Sequence, residues 1–586
     1  MNDTRNMILA VVLSALVLLG WTMLSDRFLP APPPPANKVE SPQTKPAEPQ
    51  PQATTPTAEA PAKVRARSQV LAESPRLPIR THSIQGSINL KGARFDDLVL
   101  LKQRQTIAKD SPPVRLLSPA GAPAAYFATF GWTAQGIQTP AADSQWTASA
   151  PVLQPNHPVT LSWSNGTGQT FQLIVSVDED YLFTVRQKVL NAGGGAIAVR
   201  PYGLVNRSSM SEDRSSWTMH VGPVGVFNGA AQYDVSYENL RGEEPGFFSK
   251  LFGTSAKAGR NSFSSDGGWL GFTDKYWLTA LAPVGSPQMA ASFTGTAGGG
   301  FQADYAEPQQ IVPPGGAVQT DTRLFAGAKE KALLDRYEDA GITRLSKSID
   351  WGWFEWFMRP IFDLLNWLFH VTGNFGVAII CLTVIVRMLM FPVAQKQFKS
   401  MAAMRKVQPK LKALQERYKN DKARQQQEML KLYQQEKINP AAGCLPILLQ
   451  IPVFYALYKV LMVSVEMRHQ PFVLWIKDLS APDPLTPVNL FGLLNFDPPG
   501  FLHLGVLAIL LGVTMWLQFK LNPQQMDPTQ QQIFSLMPWV MMFVLAPFAA
   551  GLVLYWVTSN ILTIAQQWWL YRRFGLHLSD THPAHT

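Results

Sequence analysis

The run Phe375–Phe391 (FGVAIICLTVIVRMLMF) is apolar almost throughout yet carries one charge, Arg387. A run of this kind reads as a membrane span. A guanidinium at the bilayer centre costs about 2.5–3.5 kcal/mol on insertion scales, so a charge kept there faces a cavity, a partner or water. A second reading stands beside it. Arg387 lies five residues before Pro392, about 7.5 Å along a helix, and a long side chain can snorkel to the near interface.

The sequence around this run divides into segments of different texture. Met7–Leu24 is an apolar stretch that passes through Trp21 into Ser25-Asp26-Arg27 without a small-residue cleavage site, which favours an uncleaved anchor over residues 1–26. Residues 27–63 are dense in proline and nearly free of large apolar residues, the composition of a semi-rigid linker. From 64 to 332 the pattern becomes short alternating runs punctuated by glycine, asparagine and proline. Phe171, Leu173, Val175 and Val177 fall on one strand face, and Tyr181–Leu190 ends in Asn191-Ala192-Gly193-Gly194-Gly195. This texture predicts a large all-β sandwich. It contains no P-loop, HExxH or G-x-S-x-G pattern, and His82, His157 and His220 are far apart in sequence. No catalytic residue, metal site or cofactor is expected.

Residues 341–372 switch to helical spacing, with Trp353, Trp356, Phe357, Ile361, Leu364, Leu365 and Leu368 on one side. That pattern suits an amphipathic helix lying in a membrane interface, or one packed on the β domain. Beyond it, residues 373–572 hold five apolar runs: Phe375–Phe391, Leu445–Val465, Phe501–Leu517, Ile533–Leu545 and Ala549–Ala565. Pro547 and Gly551 mark the turn between the last two. With the anchor these make six spans.

Charge placement orients them. Between Gln395 and Ala442 lie twelve lysines and arginines against four acids, so this loop belongs on the cytoplasmic side. The net charge of +10 is explained by such placement, and no DNA-binding role is drawn from it. Both termini, including the short tail 573–586, are then cytoplasmic and the β domain is external. The loop 395–442 reads as two antiparallel helices turning at Asn420-Asp421. Met401, Met404, Arg405, Lys406 and Lys410 on its first arm offer an adaptable basic surface, with ribosomal contact resting on charge alone. The two cysteines, Cys381 and Cys444, read as small buried hydrophobes.

The spans are unusually polar on their inner faces. Thr383 lies one turn before Arg387; Gln450 and Lys459 interrupt the second run of the group, Thr514 and Gln518 the third. Tyr555, Thr558, Ser559, Asn560, Thr563, Gln566 and Gln567 punctuate the last. Amides in hydrocarbon must pair or meet water. Interhelical hydrogen bonding would satisfy them, and so would a wet groove with Arg387 as its fixed charge.

Several long motifs then carry a resemblance: IVRMLMFP at Ile385–Pro392, MAAMRKVQPKLKALQERY from Met401, and INPAAGCLPILLQIPVFYALY at Ile438–Tyr458. FVLWIKDLSAPDP at Phe472–Pro484, DPTQQQ at Asp527–Gln532 and GLVLYWVTSNILTIAQQWWLYR at Gly551–Arg572 extend it. The chain resembles the YidC-type membrane protein insertases of the Oxa/Alb family, in their Gram-negative arrangement. The resemblance implies an α-helical membrane core, a five-helix bundle plus an N-terminal anchor helix, with a large all-β sandwich external domain in the periplasm. It also implies an insertase and chaperone of the bacterial inner membrane, working without ATP, alone or with the Sec translocon. Its groove would be hydrophilic, open to cytoplasm and lipid and closed outward. Arg387 falls at the groove arginine, and Thr383, Gln450, Tyr555 and Trp556 fall at groove or client-contact positions; Thr514, Gln518 and Ser559 join them from the polar pattern. Implied partners are nascent membrane proteins, the Sec translocon, the ribosome and signal recognition machinery, and the lipid bilayer. Trp556 stands where the family often has a second tyrosine, and Ala549-Ala550 where it commonly has Pro-Ser. A rival reading is a solute transporter with an external ligand-binding β domain, which would predict inverted repeats; none is visible.

The charge asymmetry makes a direct prediction. In a chain with Cys381 and Cys444 replaced by serine, single cysteines at Ser68 and Ser400 should react with an impermeant maleimide from opposite sides of sealed vesicles. Labelling from the same side would overturn the orientation.

Overall fold

A computed structural model describes residues 64–213, 219–242, 259–285, 287–296, 298–352, 354–418, 421–436, 445–491, 493–494, 504–521 and 528–573. The expected anchor 1–26 and linker 27–63, the tail from 574, Asn420, Ile438 and Cys444 lie outside the described residues.

Alternating side chains build the external domain. In Gln169–Val177 every second residue is buried, and Leu182–Asn191 follows nearly the same rule, because successive side chains of a strand point to opposite faces. Among the described residues nineteen strands form two sheets, one of ten and one of nine. The first is centred on Ile197–Arg207, between Tyr126–Ala134 and Phe301–Ala306. The second is centred on Ala317–Ala328, between Trp277–Pro283 and Leu182–Asn191. Aromatic pairs close the space between the sheets: Phe95 on Phe183 at 5.5 Å, Trp132 on Phe171 at 5.2 Å and Tyr126 on Phe272 at 6.4 Å between ring centroids. This is the all-β sandwich that the alternation predicts.

Eight helices follow. The first is α1 (Lys331–Asp339) and the next is α2 (Glu355–Thr372). The sequence pattern opens its amphipathic segment at 341, but the chain there forms a short 3-10 turn, Leu345–Ser348, and the helix begins only at Glu355. Met358, Phe362, Leu365 and Leu368 form its buried face. Its polar face is tied to α1 by Lys331–Asp363 at 3.0 Å and Arg359–Asp335 at 2.9 Å. Trp356 and Trp367 remain exposed. The ion pairs of α2 attach it to the end of the β domain.

The third helix, α3 (Phe375–Arg417), is 43 residues long and contains Pro392 and Pro409. The apolar run ends at Phe391, but the helix continues into the basic loop without a break. A proline removes one backbone donor and crowds the preceding turn; the chain tolerates this where it leaves the apolar stretch. Its part Phe375–Phe398 is the one described helix both long and apolar enough to cross a membrane. It is antiparallel to α4 (Lys422–Gln435), which Asp421 caps by accepting from the Arg424 N–H at 3.0 Å. Val407 and Leu411 pack there against Met429, Leu432 and Tyr433. Phe398, at the start of the loop 395–442, packs on Leu570 and Tyr571.

The bundle is completed by α5 (Leu445–Val463), α6 (Val506–Leu521), α7 (Pro528–Leu545) and α8 (Ala550–Arg573). Apolar stretches Leu449–Val463, Val506–Leu521 and Ser535–Leu545 run within them. Leu510, Val513, Leu536, Val540, Phe543 and Ile561 are exposed on these helices. Contiguous exposed apolar surface of this kind needs a covering, and lipid supplies it.

The β domain docks on the outer ends of these helices through buried polar groups. Asp350 Oδ2 accepts from the His220 N–H at 3.1 Å and lies 3.5 Å from Lys459 Nζ, while Oδ1 accepts from the Gly352 N–H at 2.9 Å. Lys459, near the end of α5, is only 1% exposed. Lys329 donates to Thr273 Oγ1 at 2.9 Å and to the Asp274 carbonyl at 2.8 Å, and burial pushes its ammonium down to about 8. Just past α5, Glu466 accepts from the Lys331 N–H at 2.9 Å, and desolvation raises its carboxyl above the usual range. Arg468 donates to the Arg104 and Gln105 carbonyls at 2.6 and 3.1 Å.

Asp350 joins three elements of this joint. Asp350→Ala removes the ion pair of a buried ammonium and the acceptor of the His220 N–H, and should lower stability by about 3 kcal/mol, the low end for a broken buried pair because Asp350 is partly exposed. Thermal unfolding in detergent measures it. A loss below a few tenths of a kcal/mol would show that the joint does not depend on this carboxylate.

Candidate functional site

Helices α3 and α8 face each other because each presents polar residues one turn apart to the other. Arg387 lies twelve residues into α3, about 18 Å from its outer end. Its Nε donates to Ser559 Oγ at 3.1 Å, and NH2 donates to the same oxygen. Ser559 is buried and Arg387 half-buried. Among the described residues Arg387 has no carboxylate partner, so its charge is held by one neutral acceptor.

The other predicted polar residues gather around this pair in three groups. Thr383, one turn earlier, is buried and turns its hydroxyl back to the Ile379 carbonyl at 2.6 Å, a local bond rather than an interhelical one. Gln450 on α5 donates its amide to the Tyr555 hydroxyl on α8. Thr514 on α6 accepts from Asn560 Nδ2 at 3.1 Å. Gln518 is half-buried one turn further on. Trp556 is half-buried, with its ring 4.7 Å edge-on from Phe454. The sequence-predicted residues thus sit on four helices that meet at α8.

Past Arg387, toward the Arg572-Arg573 end, the two helices border an open chamber of about 430 Å³. Val384, Arg387, Met388 and Phe391 line it from α3; Leu562, Gln566 and Trp569 line it from α8. Gln566 Nε2 is buried with no hydrogen-bond partner among the described residues. The chamber is mostly apolar, with a guanidinium and a free amide donor in its wall. Sequence reasoning singled out Arg387 and noted Gln566, but passed over Met388, Phe391, Leu562 and Trp569. For Phe391, Leu562 and Trp569 a spacing of three or four from Arg387, Ser559 or Gln566 was the available signal; Met388 had none.

The outer end is closed. The segment after α5 crosses the outer ends of the bundle, and its backbone satisfies theirs. Asn374, which caps α3, donates to the Phe472 carbonyl at 3.0 Å. The Ala550 and Gly551 N–H groups at the start of α8 donate to the Ala481 and Leu479 carbonyls at 2.7 and 2.9 Å. Ile476 and Leu479 are buried beneath this crossing. Four N–H groups at a helix start lack intrahelical partners, and two of those of α8 are paired here by a cap.

The residues expected on the basic hairpin lie beyond the apolar run of α3. Met401, Met404, Arg405 and Lys406 lie on α3, but their side chains are outside the described residues. Lys410 is exposed and pairs with Glu436 at 2.6 Å across the hairpin, a surface contact worth little.

Comparison with known proteins agrees in extent with this layout. Residues 367–576 match the family described as 60Kd inner membrane protein, and residues 76–364 match the YidC periplasmic domain. The membrane protein insertase YidC of Zymomonas mobilis is 47% identical over 98% of this chain and 96% of its own length. That of Methylorubrum extorquens is 41% identical over the same shares. A solved structure of an active YidC insertase is similar with a TM-score of 0.35 at 19% identity, covering 85% of this chain and 95% of that one.

The closure generates a stability prediction. A Cβ at Gly551 would already lie 3.2 Å from Ile379 Cδ1 and from the Leu479 carbonyl. Gly551→Leu should overpack this seam and cost about 1–3 kcal/mol, read as a fall in melting temperature in detergent. An unchanged melting temperature would mean that the cap does not press on α8.

Proposed function

We propose, for this chain, which belongs to the YidC family of membrane protein insertases, that Arg387 holds the acidic groups of a client while its polar segment crosses the membrane. The chain is an inner-membrane protein with a periplasmic domain, and its activity is membrane protein insertion. The transporter reading falls away with that membership. The observation that carries the proposal is the guanidinium bound to a single neutral hydroxyl at the mouth of a 430 Å³ chamber. An arginine paired with a carboxylate would have no charge to offer; this one does.

The physical sequence runs as follows. A client enters from the cytoplasmic side between α3 and α8. The chamber's apolar wall receives its side chains, and Gln566 and Arg387 meet its polar groups. The guanidinium attracts acids on the segment to be translocated. The client's apolar helix then leaves into lipid, and that burial supplies the driving free energy. The outer cap keeps the path from becoming a pore. No covalent step or cofactor enters.

We further infer six spans with both termini cytoplasmic, from the basic loop. The hairpin of α3 and α4, including Met401, Met404, Arg405, Lys406 and Lys410, is the surface suited to client, ribosome and signal recognition contacts. Larger clients would be handled beside the Sec translocon. The docking of the β domain through Asp350, Glu466 and Arg468 suits it to a supporting role, since none of its described residues forms a reactive cluster.

The test separates charge from shape. Arg387→Lys should keep insertion, whereas Arg387→Ala should lose it tenfold or so for a substrate with acidic external residues, equivalent to about 1.4 kcal/mol. The same substrate with those acids neutralised should be inserted nearly normally by Arg387→Ala at matched protein level. Equal loss for both substrates would overturn the electrostatic hold.

A further inference from the structure

The segment between α5 and α6 has a second feature beyond the cap. From Thr486 to Phe491 it folds into a tight turn, with Leu493 and Leu494 just beyond. Thr486 Oγ1 accepts from the Val488 N–H at 3.3 Å, the Leu490 N–H donates to the Pro487 carbonyl at 3.0 Å, and the Phe491 N–H donates to the Thr486 carbonyl at 2.9 Å. Leu490 and Phe491 have φ of 49° and 58°, a left-handed conformation that bulky residues avoid unless the surroundings impose it. The turn carries these disfavoured residues and still leaves its apolar side chains uncovered. Leu490, Phe491 and Leu493 are 53%, 55% and 84% exposed, and Leu494 is exposed too.

The base of the turn is fixed to a membrane helix. Asp483 Oδ2 accepts from the Leu507 N–H at 2.8 Å, and its Oδ1 accepts from the Leu485 N–H at 3.0 Å and from Trp475 Nε1 at 2.9 Å. The Val506 N–H donates to the Leu485 carbonyl at 3.0 Å. The apolar tip therefore hangs from the first turn of α6, whose own outward residues Leu510 and Val513 are apolar and exposed. No charged residue occurs from Leu485 to Phe496. A turn in water would be expected to show polar residues at its tip. At the outer end of a span, an uncharged leucine and phenylalanine tip is suited to the interfacial layer of the bilayer.

We propose that Leu490, Phe491, Leu493 and Leu494 enter the outer leaflet of the membrane and act as a peg that sets the height of the cap over the groove. The partner is the headgroup and upper acyl region of phospholipid. The contact is apolar, so it does not depend on lipid charge or on salt. It ties the cap, through Asp483, to a fixed level beside α6, and through the Leu479 and Ala481 carbonyls to α8.

This rests on the reading that α6 crosses the membrane, and the experiment separates the two. The full chain, with Cys381 and Cys444 replaced by serine, is labelled with an environment-sensitive fluorophore at Leu493→Cys, at Leu510→Cys on α6, or at Ile311→Cys on the β domain, where the side chain is 70% exposed. Each is reconstituted in phosphatidylcholine vesicles and quenched either by nitroxide-bearing lipid or by aqueous iodide. The Leu493 site should be quenched by shallow nitroxide lipid and shielded from iodide several-fold relative to Ile311, equally with and without anionic lipid. Iodide quenching as strong as at Ile311 would overturn the peg. Shielding from iodide without nitroxide quenching would also overturn it, since protein would then cover the tip. Absence of nitroxide quenching at Leu510 would overturn the membrane placement of α6 and the peg with it. Phe491→Cys repeats the measurement if the Leu493 variant is poorly produced.

Discussion

The hydrogen bond from Arg387 to Ser559 is the constraint from which the membrane half of this molecule follows. A charge on a helix that crosses hydrocarbon must be turned toward another helix or toward water. Turning Arg387 toward α8 fixes the rotation of both helices, because Ser559 sits one turn from Tyr555 and one residue from Asn560. Those two residues then face Gln450 and Thr514. One half-buried charge thus aligns α3, α5 and α6 around α8. Hydrophobic packing alone would not select this arrangement, since lipid is as apolar as the helix faces. The polar contacts are individually small, but together they choose the register.

The same logic closes the outer side. Helix ends in or near hydrocarbon need partners for their free backbone groups. The cap gives its carbonyls to α8, Asn374 ties it to α3, and Asp483 holds the start of α6. Because these bonds are made by the segment that continues from α5, closure and helix position are coupled. The β domain adds a second clamp on that segment through Arg468 and Glu466. The bundle is therefore fixed at the end that carries the cap and the β domain.

Much of this was legible in the residues. Alternation encodes strand faces, and Phe171, Leu173, Val175 and Val177 fall where the burial pattern puts them. Apolar runs encode the helices, and a charge or amide inside such a run stands out because its cost is high; Arg387, Gln450, Tyr555 and Ser559 were visible for that reason. What could not be read was long-range or contrary to a local rule. Pro392 argues for a helix end, yet α3 passes through it, since other contacts of the helix outweigh one lost bond. The pairing of Asp350 with Lys459 joins residues far apart in sequence and leaves no local pattern. The late start of α2 at Glu355 follows from the docking of 341–352 against the β domain, which tertiary contact decides and periodicity does not. The apolar half of the chamber was hidden because Met388, Phe391, Leu562 and Trp569 look like ordinary span residues.

The hold proposed for Arg387 must also let go, and the geometry bears on this. Two unit charges 4 Å apart attract by about 4 kcal/mol at the effective dielectric of a partly solvated site. Burying one leucine or phenylalanine side chain in an apolar environment gains about 1.5–3 kcal/mol. Two or three apolar residues of a client helix moving into lipid therefore outweigh one acid held at Arg387. Had Arg387 been given a carboxylate of its own, the client's acid would gain little by exchange. Had it been given no partner at all, the guanidinium would cost more to keep in the bundle. A single serine hydroxyl lies between these limits. On the proposed hold, it would compensate the charge enough for the helix to be stable and leave it strong enough to detain a passing acid until the apolar segment behind it finds lipid.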